Sequence, residues 1–274
     1  MHYPVPAMII LQGPDYAFPV NNTMRLHQEN TQQPVNKYLI VGASSEIALS
    51  LINIIIEKDP HAKLYLLARN IEKVKTHIKD IEQLPEISIV VYDMLTQKIP
   101  AEAEWNINYA IIFPGTIPQS PAEYANSLII NFSGIIEMTE AIVDLYLSTL
   151  KNILITTSTA GIRVRKNNYL YGSAKAGLTG YCSGLRHKLY PGIHVTTLIP
   201  GFIQTKMTER LKLPKLLVES PQRYAQKIYA AIFSKKNFVY SSFQWRLTSF
   251  ILRNIPESVL LKIGCQVKNR DWQE

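Results

Sequence analysis

Short apolar runs alternate with longer amphipathic segments from Lys37 to about residue 240. The short runs are nearly continuous in apolar side chains, which is typical of parallel strands covered on both faces. The longer segments have apolar residues at helical spacing. This alternation predicts an α/β fold with a doubly wound parallel sheet of about seven strands. The predicted strands are Tyr38–Val41, Leu64–Leu67, Ile87–Tyr92, Tyr109–Phe113, Ile153–Thr157, His194–Ile199 and Phe238–Tyr240, and the predicted helices lie near 46–58, 70–82, 122–149, 170–190 and 220–234.

Both ends of the chain depart from this pattern. Residues 1–35 hold five prolines and three charged side chains, with no helical or alternating period. They predict a disordered N-terminal extension, or a start codon assigned too early. Residues 242–274 contain a basic amphipathic segment interrupted by a proline. Since no Pro/Gly/Ser-rich linker divides residues 36–241, we expect a single Rossmann-like domain there, followed by an amphipathic helical tail.

Composition and charge narrow the classes of protein. A chain of 274 residues that is 47% hydrophobic and 18% charged is globular rather than disordered, collagen-like or coiled-coil. Its two cysteines and six scattered histidines give no metal-ligand spacing, so we expect a cytoplasmic protein without a metal. The net charge of +8 favours anionic partners such as a lipid surface or a phosphorylated substrate. Nucleic acid is not expected, because no basic groove interleaved with aromatic residues is visible.

The turn after the first predicted strand has features of a nucleotide-binding turn. It reads Gly42-Ala43-Ser44-Ser45-Glu46-Ile47, and its small residues let backbone amides approach a pyrophosphate at a helix N-terminus. Only one of the three usual glycines is present, and an ordinary β–α turn explains the pattern equally well. Glu46 also brings negative charge near the phosphates unless its side chain points away.

Two further residues at strand ends are candidates for contacts to the cofactor. Arg69 follows the second predicted strand, where NAD sites carry an acid. A guanidinium there can pair with a 2′-phosphate, which favours NADP over NAD; the alternative is a solvated residue at a helix start. Asp93 follows the third strand and is expected to accept a hydrogen bond from the adenine amino group or to cap a helix.

The strongest chemical signal surrounds Tyr171. Lys175 lies four residues later, on the same helical face, and is expected to lower the pKa of the tyrosine because an ammonium favours the phenolate. Such a tyrosine can exchange a proton with a ketone or an alcohol during hydride transfer. Ser158 leaves a predicted strand at the sheet edge where doubly wound folds bind ligands, and its hydroxyl can bind a carbonyl oxygen. Asn131 lies inside a predicted helix, where asparagine is unfavourable, which indicates a polar role inside the fold.

These motifs, together with the turn Pro200-Gly201-Phe202-Ile203-Gln204-Thr205, resemble the short-chain dehydrogenase/reductases in order and spacing over about residues 37–240. The resemblance implies an NAD(P)-dependent oxidoreductase in which Tyr171 is the general acid/base and Ser158 orients the substrate carbonyl. It further implies that Lys175 also binds the nicotinamide ribose, that Asn131 holds a proton-relay water, and that the protein forms a dimer or tetramer.

The remaining cofactor contacts also follow from this resemblance. Ile203 and Thr205 would contact the carboxamide from a turn, including Pro200 and Gly201, that can close over the nicotinamide. Pro114 and Gly115 are expected beside the adenosine. Here the sequence departs from the family, since Phe113 precedes them where the family usually has an Asn-Asn-Ala-Gly run.

Within the family, several runs are similar to one branch, the reductase subunits of decaprenylphosphoryl-ribose 2-epimerase. They are Ser45-Glu46-Ile47, Ser158–Lys166, Tyr171–Leu178 and Arg253-Asn254-Ile255-Pro256. This similarity implies reduction of a polyprenyl-phosphoryl 2-keto-pentose, which a flavin-dependent oxidase subunit produces. Two alternatives stay open: reduction of fatty-acyl or other lipophilic ketones, and a non-catalytic cofactor-binding module.

A basic loop and the basic tail fit a lipid-linked anionic substrate. Arg163, Arg165 and Lys166 follow Ser158 and can hold a phosphodiester, or they form a solvated charged loop. In the tail, one helical face of the segment from residue 243 to 253 is apolar and the opposite face carries Arg246, Ser249 and Arg253; the apolar residues are Phe243, Leu247, Phe250 and Ile251. Such a helix, with Trp245 near its start, is expected to lie on an anionic membrane at its inner face, or to pack on the core or in a dimer interface.

Overall fold

The computed structural model describes residues 35–266, apart from 79, 80, 82, 83, 85 and 210–216. The predicted N-terminal extension therefore lies outside the described residues, except for Val35. The strands are β1 Lys37–Val41, β2 Lys63–Ala68, β3 Ile87–Val91, β4 Tyr109–Ile112, β5 Asn152–Thr156, β6 His194–Ile199, β7 Phe202–Ile203, β8 Val218–Glu219 and β9 Phe238–Tyr240. The α-helices are α1 Glu46–Lys58, α2 Ile71–His77, α3 Tyr124–Leu128, α4 Gly134–Tyr146, α5 Tyr169–Leu189, α6 Pro221–Ile232, α7 Phe243–Asn254 and α8 Glu257–Gln266.

Seven parallel strands form the main sheet, in the order β3-β2-β1-β4-β5-β6-β9. The predicted doubly wound parallel sheet is confirmed. The chain builds outward from β1 in one direction and then from β4 in the other, so the topological switch point lies between these two strands. In open α/β sheets, ligands bind at the carboxyl ends of the strands beside that point. The short strands β7 and β8 pair separately.

The core lies on both faces of this sheet, which explains the continuous apolar runs. Along β1, Tyr38 and Ile40 enter one buried cluster, with side chains of α1 and α6. Leu39 and Val41 enter the other cluster, with side chains of α4 and α5. Successive residues of a strand point to opposite faces, so a strand covered by helices on both sides needs apolar residues at every position.

Local signals set the ends of several helices. The side chains of Ser45, Ser220 and Ser242 each accept a backbone hydrogen bond at the start of α1, α6 and α7. The N-terminal capping serine satisfies one of the amides that the first helical turn leaves unpaired. The α7 helix ends before Pro256, as the proline break predicted.

The helix predicted near 122–149 is not one regular helix. Its first part is α3, its second part is α4, and a π-helical turn spans Ile129–Ser133 between them. The predicted helix near 70–82 is shorter as well, because α2 ends at His77 and Ile78 adopts an extended conformation. Within the described residues, no helix is long and apolar enough to cross a bilayer.

Candidate active site

A groove lies at the carboxyl ends of β1, β2, β3 and β4. It is therefore located at the topological switch point, where this fold binds ligands. The groove brings together seven of the predicted cofactor residues, namely Gly42, Ser44, Ser45, Arg69, Asp93, Pro114 and Gly115. Glu46 and Ile47 lie beside it in the first turn of α1, and the turn from Pro200 to Thr205 follows β6, away from its lining.

Gly42 is required by the shape of the turn after β1. Its φ is +76°, in the left-handed region that side-chain-bearing residues rarely adopt. A Cβ atom at this position would lie 3.2 Å from the backbone nitrogen of Pro114. The glycine therefore lets the β1 turn and the loop after β4 approach each other at the base of the groove.

Two neighbouring polar side chains, those of Ser45 and Glu46, already interact with other residues of the protein. The Ser45 hydroxyl accepts a hydrogen bond from the amide of Ala48, 3.1 Å away, and so caps α1. Lys73 Nζ lies 3.4 Å from Glu46 Oε1. This ion pair offsets the negative charge that Glu46 brings to the helix N-terminus, so the acid is less of an obstacle to a phosphate than its position in the sequence suggests.

The two residues predicted to contact the adenosine side of the cofactor, Arg69 and Asp93, differ in their interactions within the protein. Arg69 is exposed and lines the groove. Asp93 Oδ1 accepts a hydrogen bond from the amide of Leu95 at 3.0 Å and so stabilises the turn after β3, but no helix begins at this residue and the predicted helix cap is not formed. Asp93 also lines the groove, and its predicted contact to adenine stays a prediction.

Lys175, Ser158 and Tyr171 come together at the carboxyl end of β5. Lys175 is only 1% exposed, and its ammonium donates to the carbonyl oxygens of Thr156 at 3.1 Å and Pro114 at 3.2 Å. Its Nζ atom lies 5.9 Å from the centre of the Tyr171 ring. Since Gly115, which lines the groove, also approaches Lys175, the predicted catalytic residues adjoin this groove.

The expected lowering of the Tyr171 pKa by Lys175 is wrong for this structure. Burial raises the pKa of the Tyr171 phenol, and a hydrogen bond with the Ser158 side chain opposes that rise only partly. Burial also lowers the pKa of Lys175 to about 7, since a buried ammonium is poorly solvated. Two backbone carbonyls hold this ammonium beneath the ring. Tyr171 is therefore protonated at neutral pH and carries a proton that can be donated to a ketone oxygen, while its raised pKa makes it a weaker acid than a free tyrosine.

Asn131 is fully buried within the π-helical turn. Its amide group donates to the carbonyl oxygens of Thr116 at 2.7 Å and Ser127 at 2.8 Å, while its Oδ1 accepts from the amide of Thr116. The side chain thus fixes the loop after β4 to the helix that carries it. Both amide protons are used in this way, and the predicted relay water stays a prediction.

The turn after β6 is held from the tail. The amide of Gly201 donates to Ser241 Oγ at 3.0 Å, and the ring of Phe202 packs edge-on against Trp245 at 5.1 Å between ring centres. The sequence interpretation missed this role of Trp245. A signal for it was present, because the tryptophan falls away from the apolar stripe of its own helix. Ile203 is buried and Thr205 half-buried in the same turn.

The three basic residues after Ser158 do not act as one group. Arg165 and Lys166 are exposed, as a binding site for an anionic substrate requires. Arg163 instead forms an ion pair with Glu257, 2.7 Å away, and donates to the carbonyl oxygen of Ile255 at 3.0 Å. The Arg163 guanidinium is thus engaged with the tail, and its predicted phosphate-binding role stays a prediction.

The tail helix α7 packs on the domain with the face opposite its apolar stripe. Trp245 and Ser249 are 7% and 2% exposed, whereas Phe243 and Phe250 are 73% and 68% exposed. The alternative that the helix packs on the core is realised through Trp245. The apolar stripe remains at the surface.

The family described as short chain dehydrogenase matches residues 36–215. An uncharacterized oxidoreductase of Mycobacterium tuberculosis is 38% identical over 109 residues, 39% of this chain and 43% of that protein, so the match spans less than half of this relative. A protein named 11-beta-hydroxysteroid dehydrogenase-like 2, of Arabidopsis thaliana, is 28% identical over 279 residues, 92% of this chain and 88% of that protein.

Solved structures of similar fold include complexes with nicotinamide cofactors. A short chain dehydrogenase from Burkholderia cenocepacia in complex with NADP has a TM-score of 0.68 at 17% identity, covering 84% of this chain and 97% of that one. An actinorhodin polyketide ketoreductase variant with NADPH has a TM-score of 0.63 at 15% identity, covering 81% and 98%. At this level of identity the similarity is one of fold. Among the described residues, no group of three or more His, Cys, Asp or Glu side chains is arranged to hold a metal ion.

Proposed function

Because the chain belongs to the short chain dehydrogenase family, we propose that it reduces a ketone to a secondary alcohol. The predicted enzyme class, an oxidoreductase of this family, is confirmed by that membership. When bound, a dihydronicotinamide would supply a hydride for the carbonyl carbon, and Tyr171 would supply the proton for the oxygen. The observation that carries the proposal is the position of Tyr171 and Ser158 beside buried Lys175, next to the groove.

Tyr171 and Ser158 divide the work on the carbonyl group. The phenol of Tyr171 is protonated at neutral pH, as an ordinary tyrosine is, and in this proposal it is the acid. The Ser158 hydroxyl accompanies it at the end of β5 and can bind the same oxygen as negative charge develops there. Lys175 holds the backbone at Pro114 and Thr156, and so fixes the boundary between the cofactor groove and the reacting carbonyl.

The cofactor proposed for the groove is NADP(H) rather than NAD(H). The left-handed Gly42 and its close approach to Pro114 leave room at the base of the groove, and the α1 N-terminus begins beside it. Exposed Arg69 at the end of β2 supports a 2′-phosphate, because a guanidinium can pair with it bidentately. We also propose that the turn from Pro200 to Thr205 contacts the nicotinamide end of the cofactor.

The proposed substrate is a polyprenyl-phosphate-linked 2-keto-pentose, supplied by a flavin-dependent oxidase subunit. Support comes from the resemblance of several sequence runs to the epimerase reductase subunits, and from Arg165 and Lys166, which are exposed on the loop after Ser158. Cations at that position suit a phosphodiester next to the reacting sugar. As for the family in general, we expect a dimer or tetramer, which light scattering after size-exclusion chromatography tests.

A lipid-linked substrate fits a cytoplasmic protein bound to the inner face of a membrane through its tail. The outward stripe of α7 supports this location, with exposed Arg246 and Arg253 beside it for anionic headgroups. Co-sedimentation with vesicles containing phosphatidylglycerol tests it. Phe250→Asp is expected to abolish binding, whereas Val91→Asp, at an exposed apolar residue outside the tail, retains it. Equal binding by both variants would contradict the location.

The reaction is tested by following the loss of reduced-cofactor absorbance with a polyprenyl-phosphoryl 2-keto-pentose, with NADPH and NADH in parallel. Turnover that disappears in Tyr171→Phe supports the proposal. Turnover of a neutral lipophilic ketone, but not of the phosphate-linked lipid, would show that the substrate is a fatty-acyl or other lipophilic ketone instead. If neither substrate is turned over while the cofactor still raises the melting temperature, the protein is a non-catalytic cofactor-binding module.

A further inference from the structure

We infer that Arg163 and Trp245 are positioning residues that fasten the α7–α8 tail to the two loops following β5 and β6. The first loop carries Ser158, and the second begins with the turn proposed to meet the nicotinamide. The tail therefore sets the separation of these loops and thereby the opening through which a ketone reaches Tyr171. The inference rests on the proposed reductase only for its kinetic test.

Arg163 makes the attachment on the β5 side. It lies five residues after Ser158, and its guanidinium reaches the connection between α7 and α8 through Glu257 and the carbonyl oxygen of Ile255. Its Nε is buried, and within the described part of the chain it has no hydrogen-bond partner.

The loop held by Arg163 is itself packed directly on the catalytic helix. A Cβ atom at Gly161 would lie 2.6 Å from the amide nitrogen of Ala176 and 2.7 Å from the carbonyl carbon of Lys175, so only a glycine fits there. Val164 similarly contacts the position of Gly172, next to Tyr171. The loop is thus wedged between α5 and the tail, and a shift of the tail is transmitted to the backbone that carries Tyr171 and Lys175.

Trp245 makes the attachment on the β6 side. Its indole Nε1 donates to the carbonyl oxygen of Leu217 at 2.8 Å, and its ring packs against Phe202. The ring also covers the α-carbon of Gly201, where any side chain would overlap the indole. These contacts lie near both ends of the chain segment that leads from β6 to α6. One side chain of α7 therefore contacts both the turn after β6 and Leu217, which directly precedes β8.

The first experiment measures hydrogen exchange in the tail, and it needs no substrate. Arg163→Ala is expected to raise amide exchange in residues 243–262 and in the loop after Ser158 by about tenfold, as the loss of a charged hydrogen bond implies. Arg165→Ala is the matched control, because it removes an exposed arginine from the same loop, and tail exchange is expected to stay unchanged. Unchanged tail exchange in Arg163→Ala would overturn the inference.

The second experiment separates positioning from general destabilisation. Arg163→Ala is expected to raise the KM for the ketone about tenfold while leaving the KM for NADPH unchanged, because Arg163 lies outside the lining of the groove at β1–β4. Arg163→Glu combined with Glu257→Arg is expected to recover part of the loss that Arg163→Glu causes alone. Equal rises in both KM values, or no recovery in the charge-swapped pair, would contradict a positioning role. Absence of turnover in the unaltered protein would instead refute the reductase, and hydrogen exchange would still decide the inference.

Discussion

Replacing Lys175 by methionine removes a buried cation whose titration links the active site to the stability of the fold. Burial lowers the pKa of Lys175 to about 7, from an ordinary value of 10.5. In the unfolded chain the lysine regains its ordinary pKa. Between these two pKa values the unfolded state therefore binds more protons than the native state, and the free energy of unfolding rises with pH. Each pKa unit corresponds to about 1.4 kcal/mol, so this group alone is expected to add about 2 kcal/mol between about pH 7 and 9.

Urea unfolding of the unaltered protein and of Lys175→Met across this pH range provides the test. The difference between the two stability curves isolates the lysine, since the other titrating groups are common to both proteins. The absolute stability of the variant is a poorer measure, because methionine leaves the carbonyl oxygens of Pro114 and Thr156 without their donor. A difference curve that is flat between about pH 7 and 9 would refute the reasoning, because the lysine would then keep its ordinary pKa in the fold.

Three further substitutions test the site. Tyr171→Phe is expected to lower turnover by about a thousandfold while the cofactor still raises the melting temperature, because only the proton donor is lost; near-normal turnover would contradict its role. Gly42→Ala is expected to lower the free energy of unfolding in urea by about 1–2 kcal/mol, since alanine is strained at a positive φ, and an unchanged midpoint would show that the turn relaxes. Arg69→Ala is expected to reduce the kcat/KM ratio of NADPH to NADH by about tenfold or more, and an unchanged ratio would remove Arg69 from cofactor selection.

The sheet was predictable because its strands are buried on both faces. Every residue of β4 and β5 is buried, and the sequence is apolar throughout β4 and from Ile153 to Ile155 in β5. The family follows from Tyr171, Lys175 and Ser158, whose spacing along the chain is set by the fold that brings them together. The position of the groove was predictable from the ends of the predicted strands, since its lining residues follow directly after these strands.

The π-helical turn was not predictable, because its cause lies elsewhere in the chain. The apolar period continues through Asn131, and the distortion is supported by hydrogen bonds that the asparagine makes to Thr116, 15 residues earlier. The direction of the Tyr171 pKa was mispredicted for a similar reason. Spacing on a helix face reports that Lys175 is near, but it does not report that two backbone carbonyls take up the ammonium and that burial is the larger effect.

The orientation of α7 follows from the shape of one side chain rather than from the apolar period. A stripe of four apolar residues predicts that this face of the helix is buried, and in a helix packed on the core it would point towards the domain. Trp245 overrides that expectation, because its indole fills the space above Gly201 and donates to Leu217, which turns the opposite face of the helix towards the domain. The apolar stripe is then exposed as a consequence of the attachment. The face of α7 that positions the loops and the face that we propose to contact the membrane are therefore opposite faces of one helix. Trp245→Phe is expected to weaken the attachment to the loops while leaving vesicle binding intact.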